Sequence, residues 1–246
     1  VTGFMSLSEQ ILKKYCPRKT YADNTAKLAI MSRAIKSLSQ SFSFYGSAAR
    51  KPGFVSVCLS GVDTLKNAGI SPQRMYDLTS ADGAASSAPA HFTDKMHDIA
   101  LFYSLYDKML TELYDDRQDN LLLAARAIEE NDCFPENTRV YIDGFDSFSG
   151  AQKEFLRAMA DKGVDFTVAV CTDDSGAEIF SECDKTKALF ENKYAMDCGK
   201  PQKTEYTKLG NSAVRYKNDT LRVLRDFLQG EKAEKPADPH GITLAY

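Results

Sequence analysis

The sequence predicts an α/β fold in which a large all-helical subdomain accompanies a parallel β-sheet. Up to Pro135, apolar residues recur at helical spacing, and after it short β-branched runs alternate with amphipathic helices. Strands that alternate with helices along the chain are typical of a parallel sheet. We therefore predict an α/β core segment at residues 1–20, the helical subdomain as an insertion at 21–135, and the rest of the core at 136–246.

Helices before Pro135 are predicted from apolar side chains at helical spacing and from end signals. They span residues 6–15, 23–39, 52–69, 92–113 and 119–130. Ser6 and Glu9 match a capping box at the start of the first helix. Pro52 occupies the favoured first position of the third helix, and Gly69 ends it. Residues 79–90 are small and polar, which predicts a loop or linker.

The clearest periodicity lies in the helix at residues 92–113. Its apolar positions are separated by alternating steps of four and three residues, so that they form one seam. The seam consists of Phe92, Met96, Ile99, Tyr103, Tyr106, Leu110 and Leu113. We interpret the seam as packing within the helical subdomain, and a coiled-coil contact with a partner helix is the alternative.

After Pro135 the sequence predicts strands and helices in alternation. The predicted strands are residues 139–142, 166–171, 204–208 and 242–246, and the predicted helices are 150–162, 184–198 and 218–229. Ser149 is the expected cap of the helix at 150–162, and Gly163 is its expected stop.

The net charge of the 246 residues is −3, which is not the balance of a dedicated nucleic-acid binder. The charge is uneven, however. Residues 1–51 hold nine Lys or Arg and two acids, a net charge of +7, so the remaining residues carry a net charge of −10. A basic end on an acidic body suits a polyanion-facing surface, with solvated helix faces as the alternative. The candidate DNA-binding residues are Lys13, Lys14, Arg18, Lys19, Arg50 and Lys51.

Aromatic residues beside two of these cations suit stacking on single-stranded DNA. Phe42, Phe44 and Tyr45 precede Arg50 and Lys51, and core or hinge packing is the alternative use of these rings.

The cysteines argue against a zinc site and a disulfide framework, because they are irregularly spaced and contain no C-x-x-C pair. This usage predicts a reducing cytoplasm. No apolar run approaches the roughly 18 residues of a membrane span, and no signal peptide is visible. The three histidines lie far from any nucleophile motif, so we assign no catalytic residue and no metal ligand. The chain begins with Val rather than Met, which we interpret as a sign of a fragment.

The most informative segment is residues 139–148, Arg-Val-Tyr-Ile-Asp-Gly-Phe-Asp-Ser-Phe. A strand that ends in Asp143 delivers an acid to the carboxyl edge of a parallel sheet, where an acid can hold Mg²⁺ on a nucleotide. A hydrolytic site would carry Glu at the next position, which is Gly144, and no G-x-x-x-x-G-K-[ST] loop is present. Asp173 and Asp174 follow the next strand, and we interpret them as turn caps rather than as further metal ligands.

These residues resemble the N-terminal helicase-like region of the AddB family. AddB is the B subunit of the bacterial ATP-dependent helicase–nuclease AddAB, also called RexAB. The similar segments run in order along nearly the whole chain. They are Gly3–Leu7, Lys51–Phe54, Lys95–Tyr103, Arg139–Phe148, Tyr216–Leu221 and Gly241–Leu244.

The resemblance implies a partial P-loop sheet of the superfamily 1 helicase type. Active relatives carry Asp-Glu-x-Gln-Asp as the second motif, with a Gln nine residues after the first Asp. Asp143 matches the first Asp of the motif, and Gln152 matches the Gln nine residues later; both are candidate residual nucleotide or metal contacts. Gly144 and Asp146 stand where the motif carries Glu and Gln. The third motif, Gly-Asp-x-x-Gln in active helicases, reads Cys-Thr-Asp-Asp at residues 171–174.

The resemblance further implies a B subunit of an ATP-dependent helicase/deoxyribonuclease that acts in double-strand-break repair and recombination. This part would guide DNA and dock on an AddA-type subunit, which supplies the motor. ATP with Mg²⁺ and an iron–sulfur cluster would belong to the intact protein, with the cluster cysteines beyond Tyr246. We expect the fragment alone to be inactive. The alternatives are a free-standing helical adaptor that uses the 92–113 seam and a Mg²⁺-dependent phosphohydrolase that uses Asp143 with Asp173.

Overall fold

The described part of the chain is mostly helical and contains one small parallel sheet. A computed structural model describes residues 1–79, 89–172 and 178–191 and the single positions Glu205, Thr207 and Val223. The helices are α1 (Phe4–Tyr15), α2 (Asn24–Leu38), α3 (Phe54–Asn67), α4 (Pro72–Thr79), α5 (Ala90–Leu113), α6 (Asn120–Glu130), α7 (Gly150–Asp161) and α8 (Ser181–Glu191). Short 3-10 helices span Ala48–Arg50, Arg117–Asp119 and Glu178–Phe180, and the strands are β1 (Arg139–Ile142) and β2 (Asp165–Val168).

The two strands pair in parallel, which confirms the arrangement expected from alternating strands and helices. Arg139 lies opposite Asp165, and Ile142 lies opposite Val168. Helix α7 lies between them in the chain, as the crossover of a parallel pair requires. The second strand ends before the predicted residue 171, because the four residues of β1 provide no partner beyond Val168.

The described residues form two compact units. The first consists of the described parts of Val1–Ile142 and Phe148–Val168, and the second consists of Asp143–Ser147 with the described part of Ala169–Ala195. Helices α1 to α7 and both strands therefore belong to the first unit, and α8 belongs to the second. The proposed domain boundaries near residues 20 and 135 stay predictions.

One hydrophobic core of the first unit lies among α2, α3, α4 and α5. Tyr103, Tyr106 and Leu110 are fully buried in it, whereas Phe92 and Leu113 at the ends of the seam are 42% and 65% exposed. The centre of the seam is thus used for packing within the helical region, as expected. Its interpretation as a free surface for a partner helix is wrong for these central positions, because α2, α3 and α4 already cover them.

A second core of the first unit joins α1, α6 and α7. Leu12, Ile128, Phe155 and Met159 are buried at its centre. The ring of Phe4 meets that of Phe155 edge-on, with 6.2 Å between centroids. Helix α1, which we assigned to the core segment 1–20, therefore packs on α6.

Several predicted helix ends are confirmed. Ser149 and Gln152 form a capping box at the start of α7. The Asp23 carboxylate accepts a hydrogen bond from the backbone N–H of Ala26 at 2.7 Å at the start of α2. Gly69 and Gly163 follow α3 and α7 in the left-handed conformation, with φ of 74° and 82°.

Two predicted helix starts are wrong. Helix α1 begins at Phe4 with Gly3 as its cap, because Phe4 packs on the second core and draws the helix start ahead of Ser6. Ser6 therefore lies inside the helix and forms no capping box with Glu9. Helix α3 begins at Phe54 rather than at Pro52, since Gly53 adopts a left-handed conformation with φ of 83° just before it.

Helix α4 was not expected from the sequence. The hydroxyl of Ser71 accepts a hydrogen bond from the backbone N–H of Arg74 at 3.2 Å, and Pro72 stands at the first helical position. This start signal is present in the sequence, but the helix is short and only Met75 is buried. Helix α8 begins at Ser181, three residues before the predicted 184.

Some predictions lie outside the described residues. They concern residues 80–88, Asp173 and Asp174, the end of the helix at 184–198, the strand at 242–246, and nearly all of the strand at 204–208 and of the helix at 218–229. Of the last two elements, Glu205 and Thr207 are described and lie in no strand, and Val223 is described and is helical. Within the part of the chain that is described, no helix is long and apolar enough to cross a membrane.

Candidate functional site

The turn after β1 carries the strand-end acid Asp143. Its side chain is exposed, and Gly144 next to it has a φ of 79°. An added Cβ at Gly144 would meet no atom within 4 Å, so backbone conformation rather than crowding favours Gly there. A Glu at this position would be strained. The turn geometry therefore disfavours the Glu that the expected second motif carries at this position.

Asp146 holds α8 against this turn. Its backbone carbonyl accepts a hydrogen bond from the Thr186 hydroxyl at 2.7 Å, and its carboxylate accepts one from the Cys183 thiol at 3.6 Å. Asp146, which stands where the expected second motif carries Gln, thus contacts α8 within the second unit.

Gln152, the second candidate nucleotide contact, lies in the first turn of α7. Its side-chain oxygen accepts a hydrogen bond from the backbone N–H of Ser149 at 2.8 Å, and its own backbone N–H donates to the Ser149 hydroxyl at 3.2 Å. The capping box accounts for Gln152 locally. A nucleotide contact of Asp143 or Gln152 stays a prediction.

Two of the six candidate DNA-binding cations are engaged in the fold. The Arg18 guanidinium pairs with Asp115 at 3.0 Å, donates to the Asn120 side chain at 3.0 Å and lies over the ring of Tyr21. The Lys19 ammonium donates to the carbonyls of residues 111 and 112 at the end of α5. These contacts join the α1–α2 connection to α5 and α6.

The other four cations are exposed. Lys13 and Lys14 lie in the last turn of α1, and Lys14 contacts the ring of Tyr15, with 4.7 Å from its nitrogen to the ring centroid. Arg50 and Lys51 lie just before α3 and are exposed. DNA binding by all six residues stays a prediction, and these four are available for it.

A cluster of buried and half-buried charges around Lys66 was not predicted from the sequence. Lys66 is 1% exposed, and its ammonium lies 2.6 Å from Asp119, 3.0 Å from Asp107 and 3.1 Å from Asp116. Asp116 also accepts a hydrogen bond from Lys27 at 2.5 Å. We call these five residues the Lys66 cluster; it ties α2, α3, α5 and the 3-10 helix Arg117–Asp119 together.

The pKa values in the Lys66 cluster follow from burial and pairing. Burial opposes the charge of Lys66, but Asp119, Asp116 and Asp107 outweigh it and raise the pKa of the ammonium. Burial also raises the pKa of Asp119 to about 6, with Lys66 opposing the shift. The pKa of Asp116 is lowered, because Lys66 and Lys27 together overcome its burial.

The sequence contains one indication of the cluster. Lys66 continues the buried stripe of Cys58 and Val62 at four-residue spacing in α3.

Metal and cofactor binding by this chain stay predictions. Among the described residues, no three His, Cys, Asp or Glu side chains group as metal ligands. Burial raises the pKa of the Cys58 thiol to about 12, which disfavours the thiolate that a cluster ligand must supply.

Comparison with known proteins places the chain in a family. A sequence profile described as "ADDB, N-terminal" matches residues 1–224. The chain belongs to this AddB N-terminal family. The turn at Asp143, the capping box of α7 and the Lys66 cluster all lie within the matched residues.

Individual AddB-family relatives are distant in sequence. The chain is 22% identical over 179 residues to the B subunit of the ATP-dependent helicase/deoxyribonuclease of Thermoanaerobacter sp. (strain X514), an alignment that covers 73% of this chain and 15% of that protein. It is 24% and 25% identical over 177 residues to the corresponding B subunits of Bacillus mycoides (strain KBAB4) and Bacillus anthracis, over 71% of this chain and 15% of each relative. The chain therefore spans a small part of the length of these relatives.

Proposed function

We propose that this chain is a non-catalytic, helicase-like part of a B subunit that guides DNA in an ATP-dependent helicase/deoxyribonuclease. The observation that carries the proposal is the match of residues 1–224 to the AddB N-terminal family. Relatives described as B subunits imply a complex with another subunit, for which we propose an AddA-type motor. The proposed setting is double-strand-break repair and recombination.

A guiding rather than a hydrolytic role is supported by the residues around Asp143. Phosphoryl transfer needs charges that are positioned around the reacting phosphate. Gly144 stands where active relatives carry Glu, Asp146 contacts α8, and the Gln152 side chain caps α7. We expect no ATP hydrolysis above background from this chain, and the variant Asp143→Ala should behave like the unchanged chain.

DNA contact is supported by the exposed cations in the first 51 residues. Lys13, Lys14, Arg50 and Lys51 are exposed. Cations that neutralise phosphates release counterions, so their contribution to binding depends on salt concentration.

Salt titration of DNA binding tests the proposal. The double variant Lys13→Gln, Lys14→Gln should bind DNA more weakly and should reduce the slope of log affinity against log salt by about 0.7–0.9 for each phosphate that is no longer neutralised. The matched control is Lys108→Gln, Lys153→Gln, which removes two exposed lysines from α5 and α7. DNA affinity of the unchanged chain that does not vary with salt would contradict the proposal.

A further inference from the structure

Residues 24–62 contain five basic residues and no acid. The basic residues are Lys27, Arg33, Lys36, Arg50 and Lys51. Lys27 is paired with Asp116 inside the first unit, whereas the other four are exposed. The connection between α2 and α3 therefore offers positive charge to solvent without acidic neighbours in its own segment.

A buried carboxylate fixes the backbone of this connection. Asp98 of α5 is fully buried, and it accepts hydrogen bonds from three consecutive backbone N–H groups. The donors are Ser43 at 3.0 Å, Phe44 at 2.8 Å and Tyr45 at 2.8 Å. Hydrogen bonds to a charged acceptor are stronger than neutral ones, so these three hold the backbone at residues 43–45 in one conformation.

The fixed backbone presents an aromatic side chain to solvent. Phe44 is 44% exposed, and its ring packs edge-on against Tyr45 with 5.0 Å between centroids. Tyr45 in turn lies 5.3 Å from the ring of Phe54. Phe42 instead turns into the first core, where it packs edge-on against Phe102 at 6.5 Å. Packing in the core thus accounts for Phe42 but leaves the exposure of Phe44 without a structural reason.

A single exposed aromatic residue needs no special explanation in general. Phe44 differs because three features coincide at one short connection. The ring packs against Tyr45, which in turn packs against Phe54; the backbone of Phe44 is held by Asp98; and Arg50 and Lys51 follow within the same connection. An exposed ring beside cations is the combination that binds single-stranded nucleic acids, in which aromatic faces stack on bases and cations contact phosphates.

We propose that Phe44 is a stacking contact for an unpaired base, and that Arg50 and Lys51 contact the phosphates of the same strand. This inference rests on the proposed DNA-guiding function and assigns a specific site to it. A single strand is the fitting partner, because the bases of a duplex stack on one another and hide their faces from a protein ring. Phe44 would provide affinity without reading the base, since every base has a stacking face.

Binding of the full chain to fluorescently labelled oligo(dT) tests the inference. The variants are Phe44→Ala, Phe44→Leu and Phe44→Tyr, and the matched control is Val57→Ala on α3, where the side chain is 69% exposed. We expect Phe44→Ala and Phe44→Leu to weaken binding by about fivefold to 100-fold. Phe44→Tyr and Val57→Ala should bind like the unchanged chain. Leu keeps the apolar bulk without a ring, so the comparison separates stacking from general hydrophobic contact.

The salt dependence distinguishes the ring from the cations. The variants of Phe44 should leave the slope of log affinity against log salt unchanged, because they remove no phosphate contact. The double variant Arg50→Gln, Lys51→Gln should lower the slope by about 0.7 for each phosphate of the single strand that is no longer neutralised. Circular dichroism of each variant checks that the fold is retained, and Phe44→Leu serves as the test if Phe44→Ala unfolds.

The outcomes separate this inference from the proposed function. Salt-dependent binding of oligo(dT) that is equal for the unchanged chain and Phe44→Leu would overturn the stacking contact and leave the DNA-guiding function intact. Absence of salt-dependent binding to any DNA would overturn both. Displacement of oligo(dT) by polyglutamate of equal charge, with no effect of Phe44→Leu, would identify a surface for acidic peptides and overturn the inference.

Discussion

Lys66 occupies a position in α3 where the stripe formed by Cys58 and Val62 faces the interior. A lysine can be buried there because Asp107, Asp116 and Asp119 replace the water that its ammonium would otherwise need. Removing one member of such a cluster leaves the others charged and unpaired. The cost therefore comes from the carboxylates that remain rather than from the lysine itself.

The variant Lys66→Met tests this account of the cluster. We expect it to lower the free energy of unfolding by about 3–5 kcal/mol, because the methionine fills much of the volume but neutralises none of the carboxylates. Urea denaturation followed by circular dichroism measures the change. The control Lys108→Met removes an exposed lysine of α5 and should change the stability by less than about 0.5 kcal/mol. Equal stability of the two variants would contradict the account.

We expect the titration of Asp119 to contribute to the pH dependence of the free energy of unfolding. Its pKa is about 6 in the folded chain, against about 3.9 for an unfolded aspartate. A carboxyl group whose pKa is higher in the folded state than in the unfolded state binds its proton more tightly in the folded state. The free energy of unfolding therefore falls as pH rises from about 4 to 6, by up to about 1.4 kcal/mol per pH unit. Asp116, whose pKa is lowered, acts in the opposite sense, and its contribution is lost as pH falls below about 4.

The variant Asp119→Asn isolates this contribution. Asparagine does not titrate, so the fall in the free energy of unfolding between about pH 4 and pH 6 should become smaller. Urea denaturation at three pH values measures the slope. The exposed acid Asp132 provides the control, and Asp132→Asn should leave the slope as it is in the unchanged chain. A slope that is the same in Asp119→Asn as in the unchanged chain would assign the titration to another group.

At the scale of elements, the end of α3 meets the start of α7 backbone to backbone. A Cβ added at Gly150 would lie 1.9 Å from the carbonyl oxygen of Ala68, a distance that no side chain tolerates. Gly69 is also close, since a Cβ there would lie 3.2 Å from the carbonyl carbon of Gly150. The contact between these helices therefore depends on the absence of side chains at both positions.

Two alanine substitutions of glycine should have opposite effects on stability. Gly150→Ala should lower the free energy of unfolding by about 1–3 kcal/mol, because α3 and α7 must separate to admit the methyl group. Gly61→Ala lies within α3, where an added Cβ meets no atom within 4 Å, and should raise it by about 0.5–1 kcal/mol. Thermal unfolding of the two variants beside the unchanged chain provides the measurement. Destabilisation by Gly61→Ala as large as by Gly150→Ala would show that the local contact is not the cause.

Elements with long, regular apolar patterns were predictable from sequence. Helix α5 agrees with the predicted range within two residues, because many positions contribute to its pattern. Helix starts were less predictable, since packing of Phe4 and the left-handed turn at Gly53 decide them. Helix α4 was missed because its eight residues contain one buried side chain.

At the scale of the whole molecule, the two cores of the first unit are joined where α3 of the first core contacts α7 of the second. We expect them to unfold together. Leu12→Ala in the second core should lower the free energy of unfolding by about 2–5 kcal/mol and should speed labelling of the Cys58 thiol, which lies in the first core. Mass spectrometry of alkylated chain under native conditions measures the labelling. An unchanged labelling rate of Cys58 would mean that the cores open independently.

The candidate site was less predictable than the fold. The strand-end position of Asp143 follows from the sequence, whereas the conformation of Gly144 does not. Arg18 and Lys19 look like the other cations in a sequence, and only their contacts with α5 and α6 distinguish them. The carboxylates that pair with Lys66 lie 41 to 53 positions further along the chain, so no local sequence pattern predicts these pairs.

Three consecutive N–H groups around one anion form the kind of concavity that holds phosphate in many proteins. In this chain Asp98 fills that concavity from within. No external anion can use these backbone donors while the carboxylate is in place. A ligand at residues 43–45 must therefore be recognised through groups other than these three N–H donors, and single side-chain substitutions such as those at Phe44 can tune that recognition without rebuilding the backbone beneath it.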